Sequence, residues 1–165
     1  MKAAFTVTAI LSFLTIIACS DGREPELYLI PEGYVGSFYI LHNIPGGEPQ
    51  TYENGARVYD IPDDGVLLIQ SDTNHGTISS DRINYYYESD DGSRRKIGDP
   101  ETTGTTSAPE KQTDEPIYIY GPGIGLIEPI RHCQIYTSDF HVGTKAQILE
   151  GVGHFDIYSD QGVDG

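Results

Sequence analysis

The stretch "YVGSFYILHN", residues 34–43, decides how the rest of the chain is read. Its side chains alternate, with Val35, Ser37, Tyr39 and Leu41 on one side and Gly36, Phe38 and Ile40 on the other. A period of two with aromatic and β-branched residues is the pattern of a β-strand. The same texture recurs on both sides of it, in "ELYLIPEG" (26–33), "ARVYDI" (56–61), "GVLLIQ" (65–70), "TISS" (77–80) and "RINYYYES" (82–89). Pro62-Asp63-Asp64-Gly65 joins two of these runs. Proline presets φ and glycine takes a positive φ, so a tight turn is expected there. "SDDGS" (89–93) is expected to close a hairpin onto "RRKI" (94–97). After a polar gap come "PIYIYG" (116–121), "PIRHCQIYTSDFHV" (129–142) and "GHFDIYS" (153–159), the last expected as a final strand. "GTKAQILEG" (143–151) is the one helix candidate, capped by Thr144 and stopped by Gly151. The fold class is therefore all-β: a single β-sandwich or partly open barrel with one short helix near the C-terminus.

Composition agrees. The 19 Gly and 10 Pro favour turns over long helices, and 12 Tyr with 5 Phe supply surface for a core. The 165 residues suit one domain. The net charge of -15 repels nucleic-acid phosphates and anionic lipids, which excludes a nucleic-acid-binding role.

The N-terminus carries an address. Met1-Lys2 is followed by 16 uncharged residues, Ala3 to Ala18, short for a membrane span and suited to a signal peptide. The run ends Leu14-Thr15-Ile16-Ile17-Ala18-Cys19, which resembles the lipobox of bacterial lipoproteins. That resemblance implies cleavage before Cys19, a thioether-linked diacylglycerol on it and a further acyl chain, palmitate-like, on its new amine. Several acyl chains give stable anchoring in the lipid bilayer. Ser20 after the cysteine implies sorting to the outer membrane of the cell envelope, at its periplasmic face or the cell surface. The expected division is signal peptide 1–18, lipidated tether 19–26, β-domain 27–158 with a polar loop at 98–115, and tail 159–165. Cys133 is then the single remaining cysteine and is expected as a small buried hydrophobe.

Ile30-Pro31-x-Gly33-Tyr34-x-Gly36, then Gly47-x-Pro49, Gly55, Ile61-Pro62 and Gly65, resembles a bacterial domain family of unknown function found in small exported proteins and lipoproteins. A weaker resemblance, to transthyretin-like β-sandwiches, rests on the same turn residues. Neither implies a catalytic residue.

The residues themselves offer limited chemistry. Asp139 and His141 lie two apart, as do His154 and Asp156, so each pair shares a strand face. Were those faces to meet, with His132 nearby, two or three imidazoles and two carboxylates would offer a Zn²⁺ shell; the bland alternative is surface His and Asp flanking buried Phe140 and Phe155. "GPGIGLIEP" (121–129) lacks the lysine and following helix of a phosphate loop and is expected as a turn. The acidic turns at 62–65 and 89–92 lack the ligand spacing of a Ca²⁺ loop. Tyr85-Tyr86-Tyr87 reads either as a binding platform or as core and edge residues. No Gly-x-Ser-x-Gly or Ser-x-x-Lys nucleophile motif occurs. The expectation is a non-enzymatic, lipid-anchored protein with a binding or structural role, without a cofactor and with a protein or glycan partner. The alternatives are a metal-binding protein or metal-dependent hydrolase, and an accessory subunit of an envelope complex.

Overall fold

The structure, a computed structural model, describes residues 22–77, 79–98, 116–130 and 133–158, with 129, 130 and 133 described by their backbone alone. Cys19 and the expected lipobox, residues 99–115 of the expected polar loop, His132 and residues 159–165 lie outside the described residues, as does the expected burial of the Cys133 side chain. The strands are β1 (Glu26–Pro31), β2 (Gly36–Leu41), β3 (Thr51–Glu53), β4 (Ala56–Asp60), β5 (Val66–Leu68), β6 (Ile83–Glu88), β7 (Arg94–Lys96), β8 (Ile117–Ile130) and β9 (Cys133–Thr144). The helix α1 (Lys145–Glu150) follows.

The strands form two mixed, open sheets, ordered β3-β4-β1-β6-β7 and β5-β2-β9-β8. In the first, β1 runs parallel to both β4 and β6. Its buried run Glu26–Ile30 explains that central place, because a strand covered on both faces need not alternate. In the second, β2 is parallel to β5 and antiparallel to β9. The inner faces meet in one core: Tyr28, Ile30, Tyr59, Tyr85 and Tyr87 from the first sheet, Phe38, Ile40, Ile119, Phe140 and Val142 from the second. Phe140 stacks on Phe38 at 4.7 Å and tilts against Tyr28 at 5.1 Å, which joins the sheets. Tyr85 and Tyr87 are buried in this core and Tyr86 lies on the other face, so the triplet is no exposed platform.

The chain passes from sheet to sheet at the ends of the sandwich. The turn at Pro62–Gly65 closes through a 2.9 Å bond from Gly65 N–H to Pro62 carbonyl, but it links β4 of one sheet to β5 of the other. The hairpin β6–β7 forms as expected. β3 and β4 pair through Asn54-Gly55, both at positive φ, the two-residue hairpin turn that Asn-Gly favours.

Three local expectations are corrected. Ser80–Arg82 is a turn of 3-10 helix, so "TISS" is no strand in its described part. "GPGIGLIEP" is no turn: it continues β8 and pairs with β9, with a register shift that accommodates Pro122. β8 is an edge strand, which tolerates a proline. "GHFDIYS" is no strand either. Its described residues lie as a strap over the outer face of the second sheet, held by single contacts rather than a ladder: Ser37 N–H to Gly153 carbonyl at 3.1 Å and Tyr39 hydroxyl to Phe155 carbonyl at 2.7 Å. A β-carbon on Gly123 or Gly125 would strike the Asp139 carboxylate or the Tyr158 hydroxyl, which is why glycines stand beneath them.

Candidate functional site

β1 enters the sandwich with Glu26, expected as the last residue of a tether but 1% exposed as the first residue of the strand. Glu26, Tyr28 and Ile30 share one strand face, and Glu26 therefore points between the sheets. Its carboxylate is heavily bonded. Arg23 reaches it at 2.7–3.0 Å through Nε and Nη2, Tyr28 hydroxyl donates at 3.0 Å, and Asn74 Nδ2 donates at 2.9 Å. Asn74 also receives Glu24 N–H at 3.0 Å and donates to the Glu24 carbonyl at 2.9 Å. The loop between β5 and β6 is thereby fastened to the start of the domain. A buried carboxylate survives only with such partners.

Opposite stands His42, 3% exposed, just past the end of β2. Its Nε2 meets Ser138 Oγ at 3.0 Å, and its buried Nδ1 has no partner. Burial pushes the imidazole down to about 4, so it is neutral at pH 7. Burial, then Glu26, pushes the Tyr59 phenol up to about 12 and holds Tyr28 well above the usual range. Both phenols remain neutral, and Tyr28 donates to Glu26.

These groups line a pocket of about 210 Å³ at one end of the sandwich, whose other walls are Ile40, Thr73, His75, Gly76, Pro122, Ile124 and Tyr136. A concave site with apolar walls and a few convergent polar groups is the usual form of a small-ligand site. Its one buried ion pair is internally balanced, so it favours a ligand of low net charge. Ser138 and His42 touch, but no carboxylate orients the imidazole, and the constellation of a serine nucleophile is incomplete.

The residues expected to carry chemistry lie elsewhere, on the outer face of the second sheet. The faces do meet in part. His141 of β9 and His154 of the strap stack at 6.0 Å, and each Nδ1 lies 3.1–3.2 Å from Ser37 Oγ. Burial, then His154, pushes His141 below its ordinary value. The carboxylates serve other partners: Asp156 accepts Tyr158 N–H at 2.8 Å, and Asp139 lies 3.5 Å from the Tyr158 hydroxyl. Among the described residues, no three His, Cys, Asp or Glu side chains gather to hold a metal. Asp64 and Asp91 cap their own turns, accepting Val66 N–H at 3.0 Å and Ser93 N–H at 2.9 Å.

Glu26, Arg23, Asn74 and His42 carry no sequence signature of a site, because their meeting depends on two loops and two sheets. The one local hint was a charged residue opening an otherwise apolar strand.

No curated protein matches the chain. A crystal structure from Bacillus anthracis, described provisionally as a lipoprotein, superposes with a TM-score of 0.55 at 21% identity over 85% of each chain. At that identity the likeness is one of fold. The model of a family of unknown function, DUF6843, matches residues 22–121, more than half of the chain, and the protein belongs to that family.

Proposed function

We propose that this protein is a lipid-anchored component of the bacterial envelope that binds a small, weakly charged ligand in the pocket between Glu26 and His42. The observation that carries the binding role is a charge pair and a neutral imidazole, buried together at a pocket with apolar walls. A purely structural end of a sandwich would be closed more simply by apolar side chains. The anchor is supported by the Leu14–Cys19 motif and by the fold likeness to a protein described as a lipoprotein. No helix among the described residues is long and apolar enough to cross a membrane.

Two measurements test the two halves. Cys19→Ala should abolish incorporation of labelled palmitate and leave the chain uncleaved; a variant still labelled and processed overturns the anchor. Native mass spectrometry of protein released from its own envelope should show an adduct that Ser138→Phe, which narrows the pocket, removes. Identical bare spectra for both chains overturn the binding role.

A further inference from the structure

Two strands of the second sheet, β8 and β9, outrun every strand of the first. β8 and β9 span 14 and 12 residues, whereas β1 and β6 span 6 each. At about 3.4 Å per residue the central strands of the first sheet cover only about 20 Å of that hairpin. Phe140 lies in the core, so Ser138 and Tyr136, two and four residues earlier on β9, share its inward face. Register places Ile124 opposite Ser138 and Leu126 opposite Tyr136. Where it lines the pocket and runs past it, this inward face has no sheet to pack on: Ile124 is 78% exposed, Leu126 44% and Tyr136 49%. Three large apolar side chains thus stand together on one overhanging face.

The anchor enters at the same end. Arg23 lines the same pocket as Ile124 and Tyr136. Only Ser20 and Asp21 separate Cys19 from Gly22. Four residues of extended chain from Cys19 to Arg23 reach at most about 14 Å. A domain held that close to its acyl chains must turn this end toward the membrane, because its far end lies about a sandwich length away. Isoleucine and leucine with a tyrosine beside them suit the boundary between headgroups and acyl chains.

From this arrangement we infer that the inner face of the β8–β9 overhang, through Ile124, Leu126 and Tyr136, rests on the bilayer into which Cys19 is anchored. The inference rests on the lipid anchor proposed above. The contact orients the domain and sets the pocket mouth at the membrane surface. Its surface is zwitterionic or weakly charged lipid, because a processed chain starting at Cys19 carries 9 basic against 25 acidic residues, a net charge of -16.

The chain has no tryptophan, so one introduced indole reports one position. Ile124→Trp and Tyr136→Trp alter exposed side chains. Leu149→Trp, 78% exposed on α1, marks the opposite end, where Gly153 meets the start of β2. The acylated full chain is reconstituted in phosphatidylcholine vesicles with and without brominated acyl chains. Expected are blue-shifted emission at positions 124 and 136 and several-fold stronger bromine quenching than at position 149. Equal quenching at all three, or none, on protein that carries acyl label overturns the membrane contact alone. Absence of acyl label overturns the anchor and the contact together. A blue shift at 124 already complete in detergent and insensitive to bromine places that indole in the protein's own pocket and overturns the membrane contact.

Discussion

His42 is held between the sheets with one ring nitrogen on Ser138 and the other unpartnered, and burial brings its pKa to about 4 from an ordinary 6.5. The unfolded chain therefore binds the proton more readily than the folded one. Stability is complete above pH 6.5 and is lost as pH falls toward 4, by on the order of 3 kcal/mol. His141, also pushed down, adds in the same direction. Urea unfolding measured across this window should show the loss, and His42→Gln should flatten it; an unchanged slope would mean that His42 is not the group responsible. Arg23 has the opposite logic. Its removal leaves Glu26 buried with Tyr28 and Asn74 as the remaining donors, so Arg23→Ala should cost about 3 kcal/mol, the low end for breaking a buried pair. None of this was visible in the residues singly. An arginine three places before a glutamate is common, and only burial gives the pair its weight.

The hairpin β8–β9 and the strap above it are held by small residues that leave room. Gly125 lies opposite Thr137, and a β-carbon there would meet the Tyr158 hydroxyl that bonds Thr137 at 2.6 Å. Gly125→Ala should lift the strap while leaving the core intact. Hydrogen exchange should then quicken in residues 153–158 and hardly change in β1; protection unchanged in both would show that the strap does not depend on this clearance. Local elements were readable where their determinants are local. The α1 capping box, with Thr144 accepting from Gln147 N–H and Gln147 answering to Thr144 N–H, lies within four residues. The Asn54-Gly55 hairpin was equally legible in principle, but its three-residue strand β3 is too short to show alternation. The strap departs from the expected strand because an extended segment looks the same in sequence whether or not a ladder partner lies beside it; the glycine run departs from the expected turn because its glycines answer to clearance beneath Asp139 and Tyr158, which only the tertiary structure sets.

At the scale of the molecule, Phe140 is the seam between the sheets, against Phe38, Tyr28 and, edge-on at 6.3 Å, Tyr85. Phe140→Ala should cost about 4 kcal/mol, as large core aromatics do. Chemical denaturation checks this, and a loss below about 1 kcal/mol would mean that the sheets do not share one cooperative core. The resemblance to a bacterial domain family of unknown function, carried by its glycine and proline positions, agrees with the DUF6843 match. The all-β class, the turns at 62–65 and 89–92 and the capped helix were determined by the sequence alone, because alternation, Pro-Gly turns and caps act over two to five residues. Tertiary structure alone decided the parallel placement of β1 between β4 and β6, the assembly of Glu26, Arg23, Asn74 and His42 at one end, and the His141–His154 stack on Ser37. Each joins residues tens of positions apart, and the energies that hold them come from burial, which the order of residues does not specify one by one.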